Sequence, residues 1–224
     1  MARGIERYSV KMELDPARLS VPERYKLLIG CIVPRPIAWV STVSEAGAVN
    51  LAPFSFFAGV GSNPMTLLFC PANKEDGSEK DTLRNAKPVE EGGLGEFVVN
   101  VVPHDLARAM AGTAEPLGYG ESEFALVGVT PEVSTRVRPP RVRESPIRFE
   151  CRTLQVIRTN PGAAAGGNVV LGEVVHVSIL DALVNERMHT DPALLDAIGR
   201  MGGLGYCTTR DRFEMPMGRR ALSE

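Results

Sequence analysis

Apolar and polar residues alternate in short runs along most of this chain, and few stretches keep the 3.6-residue period of an amphipathic helix. The alternation predicts strands over Ile37–Val43, Val49–Phe57 and Thr66–Phe69, with turns at Gly47 and Asn63-Pro64. Phe97–Val102 reads as a further strand, apolar except for Asn100. Phe149–Thr159 and Asn168–Leu180 read as long antiparallel partners, joined by a Gly- and Ala-rich connection, Asn160–Gly167, that is expected to be mobile. Helices are fewer. Ser20-Val-Pro-Glu23 has the form of a capping box, with Pro22 in the first turn, and predicts a short helix to about Leu28. Glu79–Asn85 and the segment from Pro103 and Asp105 to about Met110 read as helices, as does Thr190–Gly199, with Pro192 in its first turn and Gly199 as its stop. Residues 113–147 are rich in Gly, Pro and charge and read mainly as irregular loop with one strand near Val129, an unusual length for a structureless connection. The sum is a mainly β fold, an antiparallel barrel with helical decorations. No repeat or linker divides the chain, so residues 1–224 are read as one domain. A parallel nucleotide-binding sheet is not expected, because no Gly-x-Gly-x-x-Gly follows a strand.

Composition narrows the classes without choosing among them. At 224 residues the chain can bury about 70% of its unfolded surface, so its core needs no disulfide. A net charge of −2 with no dense basic run argues against nucleic-acid and membrane partners. The four cysteines, Cys31, Cys70, Cys151 and Cys207, are far apart and lie in or beside apolar segments; they read as buried thiols of a reducing cytoplasm. Met1-Ala-Arg-Gly-Ile-Glu-Arg7 lacks the apolar core of a signal peptide, and no apolar run nears the roughly 18 residues of a membrane span. His104, His176 and His189 are scattered without metal spacing, and no Gly-x-Ser-x-Gly elbow is present. The expectation is a cytoplasmic protein with no metal site, no catalytic cysteine and no hydrolase elbow.

The chemistry concentrates in Val33-Pro-Arg-Pro-Ile-Ala-Trp-Val-Ser-Thr-Val43 and Asn50-Leu-Ala-Pro-Phe-Ser-Phe-Phe57. Arg35 stands between prolines, Trp39 is the only tryptophan, and Ser41, Thr42, Asn50 and Ser55 occupy positions where a plain core strand would carry Val or Ile. Strands built this way can line a ligand pocket. These segments resemble the flavin reductase-like family, the FMN-binding split barrel proteins, and within it the branch of flavoredoxin and the reductase component of two-component monooxygenases. Lys80-Asp-Thr-Leu-Arg-Asn85, Glu96-Phe-Val-Val-Asn100 and Gly199-Arg-Met-Gly-Gly-Leu-Gly-Tyr206 extend the likeness over roughly residues 20–216. The tail Met217-Gly-Arg-Arg220 departs from the family's pattern. The resemblance implies an antiparallel split β-barrel of Greek-key type, FMN as cofactor, NADH or NADPH as hydride donor, and a homodimer whose flavin sites lie at or near the subunit interface.

Flavin mononucleotide needs donors and cations for its phosphate, a flat slot for its ring, and donors at the ring's polar edge. Lys80, Asp81 and Thr82 open a helix and suit the phosphate, with Arg35, Ser41 and Thr42 able to supply the rest; the alternative is that Asp81 caps a surface helix and Lys80 is simply solvated. Asn50 and Ser55 can donate to the ring edge, while Leu51, Ala52, Pro53 and Phe56 belong to the wall that would face it. Phe54, Phe56 and Phe57 divide between ring and core, and Trp39 is either core or ligand contact. Asn100 must bond either the phosphate loop or a neighbouring turn. Asn85, Arg200 and Tyr206 enter through the resemblance, the last two on the flavin and nicotinamide side; the glycines of 199–205 either admit a ligand or second subunit, or merely turn the chain.

Three readings follow: an NAD(P)H-dependent flavin reductase that supplies reduced flavin to a partner monooxygenase or to oxygen, a flavoredoxin-like electron carrier with tightly held FMN and a redox-protein partner, and a flavin- or tetrapyrrole-binding module without turnover.

Overall fold

A computed structural model describes residues 12–222; the Met1–Arg7 segment read for a leader lies outside them. In chain order the elements are helix α1 (Val21–Cys31), strands β1 (Ala38–Val43), β2 (Val49–Phe54), β3 (Phe57–Ser62) and β4 (Met65–Phe69), helix α2 (Asp81–Ala86), strand β5 (Glu96–Asn100), helices α3 (Ala107–Gly112) and α4 (Glu123–Val127), strands β6 (Pro131–Glu132), β7 (Arg141–Val142), β8 (Ile147–Arg158) and β9 (Asn168–Ile179), helix α5 (Pro192–Leu195), and strands β10 (Ile198–Arg200) and β11 (Tyr206–Thr208).

Seven strands form one antiparallel sheet in the order β2-β1-β5-β8-β9-β4-β3. Its two edges, β2 and β3, are consecutive in the chain and joined only by Ser55 and Phe56. Extended chain from Phe54 to Phe57 covers at most about 11 Å, whereas a flat seven-stranded sheet would be roughly 29 Å across. The sheet therefore curls until its edges meet, which is the expected split barrel. The pairings β1–β5 and β4–β9 supply the non-consecutive connections of a Greek-key arrangement.

Two apolar clusters hold this shape. Inside the curl, Ala38 and Val40 of β1 pack with Phe54, Phe69, Phe97, Val99, Cys151 and Val170. On the outer side, Ile37, Trp39 and Leu51 pack with Met110 of α3, Phe124 of α4 and Val142. The period-2 alternation of β1 thus sends successive side chains into two cores. Leu83 and Ala86 of α2 belong to the first cluster and fix that short helix to the barrel. Gly172 of β9 is required by close packing: a Cβ there would lie 2.4 Å from the Phe97 ring.

The structure corrects several expectations. The run 49–57 is two strands rather than one, because the extended chain leaves one sheet edge and joins the other; β3, with Gly59 and Gly61 and five exposed residues, carries no alternation to announce it. The expected helix 190–199 is only Pro192–Leu195. Asp191 caps it, accepting from the Ala193 and Leu194 N–H groups at 2.7 and 3.2 Å, but Asp196 turns to φ +43° and Gly199 lies in β10 opposite Cys207. The helix expected from Pro103 begins as a 3-10 turn, His104–Leu106, before α3. Cys31 is exposed, and only Cys151 of the four cysteines is buried. Helix α1 has the expected capping box, with Glu23 Oε2 accepting the Ser20 N–H and hydroxyl at 2.8 and 2.6 Å, and it runs three residues past Leu28.

The segment 113–147 is not structureless. Besides α4 it contains the β6–β7 ladder, and buried polar groups of the barrel tie it down. Glu150, fully buried, accepts the N–H groups of Thr135 and Arg136 at 2.8 and 2.6 Å. Asn100 Oδ1 accepts from Val142 N–H at 2.8 Å, and the Ser41 hydroxyl donates to the Pro140 carbonyl at 2.5 Å. The connection 160–167 is likewise anchored, with Asn73 bonding the carbonyls of Ala163 and Gly166.

Candidate functional site

The edge strand β2 forms one wall of a cavity of ≈ 260 Å³. Asn50, Ala52, Pro53 and Phe54 make that wall; Lys74, Lys80, Asp81 and Thr82 close one side; residues 113–117 and Glu123 close another. Lys74, Lys80, Asp81 and Thr82 bring charge and a hydroxyl to one part of the lining, whereas Ala52, Pro53, Phe54, Pro116 and Leu117 offer a thin apolar face.

A buried relay of amides and hydroxyls sets the polar side. Asn50 Nδ2 donates to Thr42 Oγ1 at 3.2 Å and to Thr82 Oγ1 at 3.0 Å, and Asn85 Nδ2 donates to Thr42 Oγ1 at 3.1 Å. β1, β2 and α2 are thereby locked together, and the Thr82 hydroxyl, an acceptor in this relay, still has its own proton to donate. Fixing α2 by both the relay and its apolar residues places Lys80, Asp81 and Thr82 at the rim. Asp81 does not act as a cap; Lys80 is the N-cap residue, and Asp81 pairs with Lys74 at 3.4 Å and Arg84 at 3.6 Å. At six residues α2 contributes little dipole, so attraction for an anion comes from the Lys74 and Lys80 ammonium groups. Lys80 is exposed as a whole residue, yet loss of solvation at its ammonium lowers its pKa, and the like charge of Lys74 adds to this.

Glu123 is 7% exposed and lies in the cavity wall. Its Oε2 accepts the Leu51 N–H at 2.8 Å, satisfying a donor on the edge strand that no strand partner takes. Burial pushes its pKa up, and the Asp81 charge adds to the rise. Beside it the Ser122 hydroxyl is buried without a hydrogen-bond partner among the described residues.

Of the residues predicted from sequence, Asn50, Ala52, Pro53, Lys80, Asp81 and Thr82 come together at this cavity, with Thr42 and Asn85 directly behind them. Leu51 turns its side chain into the outer core and gives its N–H to Glu123. Trp39 is core, and its indole N–H donates to Thr113 Oγ1 at 2.8 Å, so it reaches the cavity only through Thr113. Ser41 and Asn100 serve the fold: Asn100 Nδ2 bonds the Trp39 carbonyl at 2.9 Å and Ser41 Oγ at 3.2 Å.

Arg35, Ser55, Phe56, Arg200 and Tyr206 gather at a second place, the seam where the chain crosses from β2 to β3. Arg35 is buried and four of its five guanidinium N–H groups are engaged: it donates to the carbonyls of Ile29, Ile32 and Met201 at 2.5, 2.6 and 3.0 Å and to Ser55 Oγ at 3.2 Å, lying 6.0 Å from the Phe56 ring centroid. The expected phosphate grip by Arg35 thus gives way to a clamp on the fold. Arg35 and Arg200 exchange backbone hydrogen bonds at 3.0 and 2.8 Å, and the Arg200 guanidinium lies 4.4 Å from the Tyr206 ring centroid. The glycines between them let the loop approach α1, with the position of a Gly202 Cβ 3.4 Å from Gly30 Cα, and Gly203 takes φ +57°.

Sequence reasoning missed Lys74, residues 113–117 and Glu123. Only Thr113 had a trace of a signal, since a buried Trp39 indole needs an acceptor. The cavity joins cations and a hydroxyl to a thin apolar wall, a donor set that fits a phosphate-bearing ligand with a flat ring.

Comparison with known proteins gives the family. The flavin reductase like domain family matches residues 29–205. Nitrilotriacetate monooxygenase component B from Bacillus cereus superposes with a TM-score of 0.85 at 32% identity, over 92% of this chain and 99% of that one. A Shewanella frigidimarina protein described as a candidate flavin reductase with a split barrel domain shares the fold, with a TM-score of 0.77 at 20% identity over 93% and 100% of the two chains. The Bacillus subtilis protein YwrF, itself uncharacterized, is 41% identical over 200 residues, 88% of this chain and 95% of its own. The chain described here belongs to the flavin reductase-like family of split barrel proteins.

Proposed function

We propose that this protein binds FMN in the cavity beside β2 and works as an NAD(P)H-dependent flavin reductase, delivering reduced flavin to a partner monooxygenase or to oxygen. The observation that carries the reading is the division of one cavity into a cationic, hydroxyl-bearing side at Lys74, Lys80 and Thr82 and an apolar wall at Ala52, Pro53 and Phe54. Lys80 and Thr82 hold the phosphate, Lys74 adds charge, and the relay through Thr42, Asn50 and Asn85 keeps the hydroxyl in place. The bound flavin supplies the hydride-accepting chemistry, so the chain's task is to orient it and exclude water, with no acid or base of its own. The partner reading draws on the nitrilotriacetate monooxygenase component B likeness.

A second copy of the chain covers the exposed outer strands. β3 leaves Val60 exposed at the sheet edge beside Met65, and no residue of α1 is buried although Val21, Tyr25 and Leu28 form an apolar stripe along it. Among the described residues no helix is long and apolar enough to cross a membrane.

The deciding experiment is an anaerobic visible spectrum of the protein with FMN before and after NADH or NADPH. Bleaching of the flavin band with either nucleotide supports the reductase. Tight FMN that neither nucleotide reduces makes the protein an electron carrier instead, and no FMN binding removes the flavin reading altogether.

A further inference from the structure

We propose that Glu123 takes up a proton when a phosphate-bearing flavin enters the cavity, so that flavin binding is proton-linked through this one carboxyl. The inference rests on the flavin reading above and concerns how that same cavity is regulated.

The geometry singles out Glu123. Its side chain lies in the cavity wall, buried, with one oxygen fixed on the Leu51 N–H at 2.8 Å. Phe124, next in sequence, is buried in the outer core and anchors α4 there. The charges around it do not neutralise it. β2 brings none to the cavity. α3, packed on α4, carries only Arg108, which is exposed and makes no ion pair with Glu123. α2 brings Asp81, whose charge opposes ionisation, and the rim brings Glu115 on one side and Lys74 and Lys80 on the other, with Lys74 already paired to Asp81. A buried carboxylate that no cation meets is costly, and such a group in a cleft is a candidate for function.

An entering dianion adds negative charge to the same cavity and displaces its water. Both favour the neutral carboxyl. The reaction is a simple protonation: a solvent proton forms an O–H bond on Glu123, and nothing is oxidised or reduced. Glutamine at this position keeps an oxygen for the Leu51 N–H and cannot take the proton. The ligand's own phosphate, with a second pKa of about 6, responds to the lysines in the opposite sense, by losing a proton.

The test is calorimetry of FMN binding between pH 6 and 8 in pairs of buffers with different ionisation heats, on the wild type and Glu123→Gln. We expect the wild type to take up as much as one proton per FMN more than the variant, and its Kd to rise by up to about tenfold per pH unit more steeply. Equal proton counts in the two proteins overturn the proposal while leaving FMN binding intact. Failure of the wild type to bind FMN removes the flavin reading and this inference with it, a distinguishable outcome. Should the variant misfold, carbon-13 carboxyl titration of Glu123 in the wild type decides: its midpoint must move upward when FMN is added, and an unmoved midpoint rejects the proposal.

Discussion

Phe54 and Phe69 lie with ring centroids 5.3 Å apart, although four strands stand between β2 and β4 in the sheet. That contact, extended by Phe69 on Phe97 at 5.0 Å, crosses the interior of the curl and makes the two halves of the sheet one core. Phe69 is fully buried, so Phe69→Ala should cost about 3–5 kcal/mol, the range for a large-to-small change in a core. Phe69→Leu should recover most of it. Urea unfolding of both variants checks this, and a loss under about 1 kcal/mol for the alanine variant would mean the seam is held by other contacts.

Arg35 gives a second test, one that separates a structural clamp from a ligand group. Its guanidinium serves three carbonyls and the Ser55 hydroxyl, a fork that an ammonium cannot reproduce. Arg35→Lys should destabilise the fold by about 2–4 kcal/mol through carbonyls left without donors. Intact stability with weakened FMN binding would instead return Arg35 to the phosphate.

How far the sequence reached can be judged from these residues. Thr42 and Asn50 were legible as polar residues in apolar runs, Thr82 as the opening of a helix, and Asn85 only through the family resemblance; in the structure the four bond one another. The barrel was legible from alternation, and the long β8–β9 hairpin most clearly. Arg35 was recognised as special but for the wrong neighbours, since Ile29, Ile32 and Met201 become adjacent only when the barrel closes. Glu123 and residues 113–117 were hidden for the same reason: their segment is ordered by Glu150, Asn100 and Ser41, partners that no local pattern of the segment reveals.

The phosphate assignment predicts a difference between two ligands. Lys80→Ala with Thr82→Ala removes one cation and one hydroxyl from the rim. FMN affinity should fall about 10- to 100-fold, the value of a charge-assisted hydrogen bond. Riboflavin, which has the ring without the phosphate, should bind the double variant and the wild type alike. Titration by flavin fluorescence reads both, and an equal loss for the two ligands would move the phosphate elsewhere.

Val60 tests the second copy. It stands on the edge strand β3, 53% exposed, in an apolar hollow with Phe57, Leu67, Phe149 and Val174. Val60→Asp puts a charge into any interface formed there. Sedimentation should show a wild-type dimer at micromolar concentration and a monomeric variant; a monomeric wild type would rule the dimer out.

Glu123 also predicts a pH dependence of stability that needs no ligand. Burial raises its pKa in the folded state above the unfolded value, outweighing the Leu51 N–H bond that favours the carboxylate, and the Asp81 charge adds to the rise. A folded pKa above the unfolded one means that the native state holds the proton more tightly. The stabilisation this gives is complete below the unfolded pKa, about 4.3 for a glutamate, and is lost as pH rises through the folded value. Above that value the native protein carries an ionised, buried carboxylate that no cation neutralises. Glu123→Gln removes this burden while keeping an acceptor for the Leu51 N–H. The variant should therefore gain in melting temperature relative to the wild type as pH rises from 5 to 8. A difference in melting temperature that stays constant across that range would show that Glu123 does not titrate in the folded protein.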